Sequence, residues 1–337
     1  MGSGDPVVRM RAADAVSGCL RTGLILVALC LLLLVIGPLL VRVPPLEDTL
    51  PPQQLADEDS LFVEVEGLQV HYKLVGQGDP TLVLLHGFGA SVFSWRKVMA
   101  PLAEVGTVIA FDRPAFGLTE RPMPADWGEQ NPYSAEAQVS LTVKLLDELG
   151  VEKAVLVGHS AGGGIAVLTA LRYPDRVQAL VLEDAAVYRH AGTPGWLRHL
   201  LLTPQMRRVG PLMVRSAVRW SEAAIRSAWD DPNKITMELV SGYEKPLQAD
   251  NWDRGLWEFI LASHPLEVEA RLGDISAPTL VITGEGDRIV PSDQSVRLEA
   301  ELPNAELVVI PACGHVPHEE CPEPFLSSVT DFVGDLP

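Results

Sequence analysis

Ser160 stands in Val157-Gly158-His159-Ser160-Ala161-Gly162, between the apolar run Ala154–Val157 and a small-residue helical stretch. G-x-S-x-G on a strand-to-helix turn is a nucleophile elbow, which pushes a serine hydroxyl out of the backbone into a site. The glycines are needed because a strained turn brings the flanking positions against neighbouring strand and helix, leaving room for hydrogen alone. Three fixed letters are a weak signal by themselves. What raises them is whether a base and an orienting acid exist elsewhere.

A serine attacks a carbonyl carbon only when an imidazole takes its proton and an acid holds that imidazole. Of eight histidines, His315 is the candidate base, in Pro311-Ala312-Cys313-Gly314-His315-Val316-Pro317 after the last apolar strand. His318 is its nearest rival. Asp287 lies in Gly284-Glu285-Gly286-Asp287, after the preceding strand, and Asp184 is a substitute acid after the strand before that. Loops at carboxyl ends of strands are where open α/β sheets place their sites, and Ser, Asp, His is the chain order such a sheet requires. His86-Gly87-Phe88-Gly89 also follows a strand, so the amides of Phe88 and Ala161 are the expected oxyanion donors. Each such donor is worth about 3–4 kcal/mol of barrier.

These loops need a sheet to hold them. Leu61–Val65, Glu66-Gly67 and Leu68–Leu74 read as a β-hairpin. Short apolar strands follow at Thr81–Leu85, Thr107–Phe111, Ala154–Val157, Ala179–Leu182, Thr279–Ile282 and Glu306–Ile310. Helical patterns separate most of them, at Ser94–Glu104, Ala135–Leu149, Ala161–Arg172 and Ser292–Leu302, and Pro322–Val333 closes the chain. Strands apolar on both faces and alternating with helices predict a mostly parallel α/β sheet covered on both sides. From about residue 188 to 265 no strand pattern appears, and five of the seven tryptophans (Trp196, Trp220, Trp229, Trp252 and Trp257) fall there. That interval reads as a helical cap over the site, with a plain second packing layer as the other reading for any one Trp.

The 337 residues are 47% hydrophobic, and much of the excess lies in Thr22–Val41, which carries no charge. As a helix these residues span about 30 Å, the thickness of a hydrocarbon core. The exit Pro38-Leu39-Leu40-Val41-Arg42 has no small-x-small cleavage site, so the expectation is an uncleaved anchor rather than a signal peptide. Arg9, Arg11 and Arg21 precede the span and Arg42 alone follows closely, which predicts a cytoplasmic N-terminus and an extracytoplasmic domain. The expected layout is a tail at 1–21, an anchor at 22–43, an extended Pro- and acid-rich linker at 44–60, and one domain at 61–337. With a formal net charge of −18, more negative still beyond the anchor, the surface argues against nucleic acid and against docking on anionic lipid. The four cysteines make no disulfide framework; Cys313 and Cys321 flank the His315 loop and are expected as two thiols, with a disulfide as the alternative in an oxidising compartment.

His86-Gly87-Phe88-Gly89, Asp112-Arg113-Pro114-Ala115-Phe116-Gly117, Gly158-His159-Ser160-Ala161-Gly162, Gly284-Glu285-Gly286-Asp287 and Gly314-His315 together resemble the α/β-hydrolase superfamily. The resemblance covers nearly all of residues 61–337 apart from the cap. It implies an eight-stranded sheet, a triad of Ser160, Asp287 and His315, oxyanion amides at Phe88 and Ala161, and neither metal nor organic cofactor. The single Gly before Phe88 resembles the esterase and lipase branch, and an anchored domain is similar to membrane-bound monoacylglycerol lipases. Asp112-Arg113 corresponds to a loop that is usually structural.

The function so implied is hydrolysis of a carboxylic ester with an apolar acyl group, on a small or lipid-derived substrate, through an acyl-enzyme on Ser160. Ser160 stands where epoxide hydrolases and haloalkane dehalogenases carry Asp. Ala161 stands where proline iminopeptidases carry Trp. Carbon–carbon bond hydrolases and cofactor-free perhydrolases share the triad and stay open, as does a non-catalytic binding module. Acyl length, leaving group and oligomeric state are not legible in the sequence.

Overall fold

The computed structural model describes residues 6–128, 130–188, 195–218 and 221–336, with side chains from Leu20 onward except that of Trp196. Eight strands form one sheet: β1 (Leu61–Val65), β2 (Leu68–Val75), β3 (Thr81–Leu85), β4 (Thr107–Phe111), β5 (Ala154–His159), β6 (Val177–Glu183), β7 (Thr279–Gly284) and β8 (Ala305–Ile310). Their order is β1-β2-β4-β3-β5-β6-β7-β8. β2 pairs antiparallel with both β1 and β4, and all other neighbours run parallel. The hairpin turns through Glu66 and Gly67 at φ 52° and 80°. Two consecutive left-handed residues match the twist of the strands they join.

Every residue of β3 and β5 is buried, as the unbroken apolar runs predict. Alternate residues feed two cores. Val83, Leu85 and Leu156 pack on one face with the helices α3 (Ala135–Glu148), α4 (Ala161–Arg172) and α10 (Ser292–Glu301). Leu82, Leu84, Val155 and Val157 pack on the other with Trp95, Leu102 and the terminal helix α12 (Pro322–Gly334). Burial on this scale, about 25 cal/mol per Å² of apolar surface, is what holds the sheet's carboxyl edge rigid enough to carry a site.

The expected helix over Ser94–Glu104 is broken. Residues Val92–Lys97 form a 3₁₀ turn capped by Ser91, and only α2 (Met99–Leu102) is α-helical. Pro101 has no N–H to give the carbonyl of Lys97, so a continuous helix through it would lose a bond and clash.

The cap is helical, as expected, and comprises α5 (Gly195–Leu201), α6 (Pro204–Ala217), α7 (Ser221–Ala228), α8 (Met237–Glu244) and α9 (Trp252–Ala262). Its described tryptophans are packing residues. Trp252 and Trp257 join Leu201 and Val214 in a cluster between α6 and α9, and Trp229 packs with Leu239 and Val316. Trp220 and the side chain of Trp196 lie outside the described residues.

Helix α1 (Pro6–Leu40) contains one stretch, Leu20–Leu40, long and apolar enough to cross a membrane, and none of it is buried in the protein. The cap adjoins its end, where Arg208 Nε donates to Val41 O and Arg215 Nη2 to Pro44 O, each at 3.0 Å. The segment expected as a free linker is instead strapped to the domain. Leu50 bridges Ala249, Thr49 Oγ1 donates to Asp250 Oδ1 at 2.6 Å, and Leu55 is buried. Asp57 is held between Lys73 at 3.0 Å and Lys245 at 2.5 Å. Prolines and acids gave the segment its linker appearance; two leucines and one doubly bridged carboxylate tie it down.

Candidate active site

Ser160 takes φ 51° and ψ −119°, a conformation L-residues rarely adopt. Its neighbours show why it is tolerated. A Cβ on Gly158 would lie 2.6 Å from Gly163 Cα, and one on Gly162 only 2.1 Å from Leu85 O. The elbow is thus wedged between β3 and α4. The amide of Ser160 donates to Glu183 O at 2.9 Å, which ties it to β6.

His315 lies on the loop between β8 and α11 (Pro317–Glu320). Its Nδ1–H donates to Asp287 Oδ2 at 2.7 Å, while Asp287 Oδ1 accepts the amides of Ile289 at 2.7 Å and Val290 at 3.0 Å. With Nδ1 committed, the lone pair of His315 sits on Nε2, the tautomer a general base needs. The loop is fastened three ways. His315 N donates to Ala228 O at 2.7 Å, Gly314 N donates to Glu320 Oε2 at 2.8 Å, and Cys313 is disulfide-bonded to Cys321. Here the expectation of two separate thiols is corrected. Sequence spacing could not decide it, because the turn at α11 brings the two Cα atoms to 6.3 Å.

Ser160 Oγ is not hydrogen-bonded to His315 in this structure; such bonds in free enzymes often close only around substrate. The two residues are instead linked through His159, the neighbour of Ser160 in the chain. His159 Nε2–H donates to the main-chain carbonyl of His315 at 2.7 Å, with ring centroids 4.8 Å apart. Burial, then the neighbouring His315 and His318, hold the pKa of His159 well below the usual imidazole range, so it is neutral. His318 is turned away from the site. Its Nδ1 bonds Glu183 Oε1 at 2.8 Å, and its ring stacks on Trp95 at 4.2 Å.

Asp184, the alternative acid, has no contact with His315 Nδ1. Its Oδ1 accepts from Thr283 Oγ1 at 2.6 Å and Gly284 N at 3.3 Å. Burial first, and the charge of Asp287 second, raise its pKa well above the carboxylate range, so it stays protonated. Asp184, Asp287 and His315 are the one group among the described residues whose ligand atoms all lie within 4.8 Å of one another. Within this group His315 Nδ1 bonds Asp287 Oδ2 and Asp184 Oδ1 accepts from Thr283, while Asp184 Oδ2 has no hydrogen-bond partner among the described residues.

The loop expected to supply an oxyanion amide is fixed by a histidine that sequence reading did not assign. His86 Nδ1–H donates to Gly87 O at 2.8 Å, and its bare Nε2 accepts Arg113 N at 3.0 Å. Burial, then Arg113, lower its pKa to about 3, which keeps that tautomer neutral. A Cβ on Gly87 would sit 2.8 Å from His159 Nδ1 and 3.2 Å from Ser160 Cβ, so the loop runs directly beside the elbow. The amides of Phe88 and Ala161 have no acceptor among the described residues.

In front of them is a cavity of about 350 Å³, lined by Phe88, Ser160, Ala161, Ile165, Phe259 and Val290 among others, with Arg113 and Gln138 in its wall. It is mostly apolar and sits at the small end of ligand pockets. Phe259 of α9 is the cap's aromatic contribution, packing 5.8 Å from Phe88 and 4.8 Å from Phe116.

The sequence description of the alpha/beta hydrolase fold matches residues 80–322. The chain belongs to that family. This α/β hydrolase is 33% identical over 278 residues to the uncharacterized hydrolase YugF of Bacillus subtilis, covering 80% of this chain and 96% of the relative. It is 32% identical over 277 residues to the 2-hydroxymuconate semialdehyde hydrolase of a Pseudomonas species, covering 80% and 92%. Among solved structures, a bacterial membrane phospholipase A superposes with a TM-score of 0.63 at 25% identity, covering 95% of this α/β hydrolase and 99% of that chain.

Proposed function

We propose that this α/β hydrolase is a membrane-anchored serine hydrolase that cleaves carboxylic esters with an apolar acyl part. The observation carrying the reading is the 2.7 Å bond from His315 Nδ1 to Asp287, which leaves a bare Nε2 for the Ser160 hydroxyl. In the first step Ser160 Oγ attacks the ester carbonyl as its proton passes to His315 Nε2, and the carbonyl oxygen takes the negative charge between the Phe88 and Ala161 amides. Collapse breaks the bond to the alcohol oxygen, which leaves with the proton held by His315. Water then attacks the acyl-enzyme, giving its proton to His315; the acid departs, and the proton returns to Ser160.

Three observations support the anchored, lipid-facing part of the reading. The apolar stretch Leu20–Leu40 spans about the hydrocarbon thickness, the cap abuts its end, and the likeness to the membrane phospholipase A covers 95% of this chain. The Cys313–Cys321 disulfide suits a catalytic domain on the oxidising, extracytoplasmic side.

A second reading is favoured by the relatives' names. The 2-hydroxymuconate semialdehyde hydrolase shares 32% identity, and a carbon–carbon bond hydrolase can use the same serine, base and oxyanion amides. The deciding experiment is labelling with a fluorophosphonate probe, wild type beside Ser160→Ala, followed by turnover of esters of graded chain length. Labelling of wild type alone with ester turnover is expected. Equal labelling of both proteins removes Ser160 from the chemistry, and labelling without any ester turnover promotes the carbon–carbon reading. A topology reporter fused at residue 337 that proves cytoplasmic would overturn the orientation.

A further inference from the structure

The wall of the cavity that contains Ser160 also contains a buried guanidinium with no counter-ion. Arg113 is 1% exposed, and its one side-chain partner is a neutral amide, Gln138 Oε1, at 2.8 Å from Nη1. Among the described residues its Nε and Nη2 have no partner, and no carboxylate lies within ion-pair distance of it. Arg121, the other buried arginine of this region, also has an unpartnered Nε and no ion pair among the described residues, but it donates to the carbonyls of Gly117 at 2.5 Å and Thr119 at 3.3 Å and does not line the cavity. Burial alone draws the Arg113 pKa down to about 9, which leaves it a cation at neutral pH.

An unpaired charge in a low-dielectric wall is costly, and chains seldom keep one without a use. Packing does not account for this one. The Phe116 ring lies 5.5 Å from the guanidinium carbon, a weak cation–π contact. Gln138 is fully spent holding Arg113, since its Nε2 donates to Tyr133 O at 3.1 Å, so the amide fixes the guanidinium without neutralising it. The backbone is held as firmly, because Arg113 N donates to His86 Nε2 at 3.0 Å. A fixed cation shares a cavity with the nucleophile.

The two free nitrogens decide what would pair with it. Nε–H and Nη2–H form one edge of the guanidinium fork, and a parallel pair of N–H groups at that spacing matches the two oxygens of a planar carboxylate. We propose that Arg113 is a specificity-determining residue that receives a carboxylate group of the substrate, so that the preferred substrate is monoanionic, with an acid group on the part occupying the cavity beyond the scissile carbonyl. The inference rests on the reading of Ser160 as nucleophile and adds the charge of its substrate. The rest of the cavity, lined by Phe88, Ile165, Phe259 and Val290, takes the apolar chain between the two functional groups.

The test compares mono-para-nitrophenyl adipate and suberate with their neutral methyl diester analogues, using the full chain in detergent micelles at neutral pH. Wild type is expected to favour the acids in kcat/KM by about 10- to 100-fold, the worth of one charge-assisted pair. Arg113→Met should collapse that ratio toward one, chiefly through KM, and Arg113→Lys should keep part of it. Free adipate should inhibit turnover of the neutral ester by wild type and not by the Met variant. Fluorophosphonate labelling of Ser160 verifies that each variant is folded; if the Met variant fails to label, the Lys variant decides. No preference for the acids in a wild type that labels and turns over the neutral esters overturns the proposal, as does a ratio untouched in the Met variant or, where that variant fails to label, a kcat/KM that falls equally for acids and neutral esters in the Lys variant. A wild type that does not label at all fails the reading of Ser160 instead, a separate result.

Discussion

The Nε2–H of His159 donates to the main-chain carbonyl of His315 at 2.7 Å, joining the residue before the expected nucleophile to the residue expected as its base. Two loops 156 residues apart in the chain are thereby held at one separation. His159→Phe keeps the ring and removes the donor. Because displacements of a fraction of an ångström at a reacting centre are expensive, kcat should fall about tenfold or more with KM little changed. Stopped-flow labelling of Ser160 is the check, expected slower but complete; an unaltered rate would make His159 a mere packing residue.

Asp287→Asn should leave the fold intact and lower kcat by about 10⁴, since an amide can present its N–H to His315 and select the wrong tautomer. Asp184 is not expected to rescue it, because its Oδ1 is engaged by Thr283 and Gly284 and burial disfavours the charged form that would have to hold His315. Ester turnover of the single variant, with the double variant Asp184→Asn/Asp287→Asn beside it, measures this. A residual rate that vanishes in the double variant would show Asp184 substituting after all.

The protonated Asp184 has a consequence for stability against pH. Its folded pKa lies well above the 3.8 of the unfolded chain, so above pH 3.8 the folded protein holds a proton that the unfolded chain releases. Stability from this group is therefore complete below that pH and declines as pH rises toward the folded pKa. Asp184→Asn has no proton to lose and retains an oxygen for Thr283. Its urea midpoint should gain on wild type as pH rises above about 4, until the folded carboxyl itself ionises. Parallel pH curves for the two proteins would mean that Asp184 is ionised in the fold.

Cys313 and Cys321 enclose the loop that carries His315, and closing a loop of this length is worth about 2–3 kcal/mol. Thiol titration of the denatured chain should find two fewer thiols before reduction than after. Reduction, or Cys313→Ser with Cys321→Ser, should lower the melting temperature and kcat together. Full activity in the reduced protein would show that the hydrogen bonds from Ala228 and Glu320 are sufficient to hold His315.

Local pattern was enough wherever a segment's partners are generic. β3 is apolar on both faces, so any sheet with two covered faces accommodates it, and Thr81–Leu85 was legible to the residue. The same holds for the Gly158-x-Ser160-x-Gly162 turn, whose glycines answer to contacts that every such elbow makes. It failed where the partner is particular and remote. Leu50 reads as part of a polar linker until Ala249 is beside it. The tryptophans of the cap could not be divided between site and core by composition; Trp252 and Trp257 belong to the core, and Phe259 faces the cavity.

Taken alone, the order of residues determined an eight-stranded α/β frame, an N-terminal apolar span and the identities of Ser160, Asp287 and His315 as candidates, because strand periodicity and turn chemistry are written in neighbouring residues. The bond from His315 to Asp287 rather than to Asp184, the neutrality of His86 and His159, the disulfide beside His315 and the unpaired charge of Arg113 are visible only in three dimensions. Protonation, pairing and burial depend on which groups from distant segments end within a few ångströms of each other, and that is a property of the packed chain.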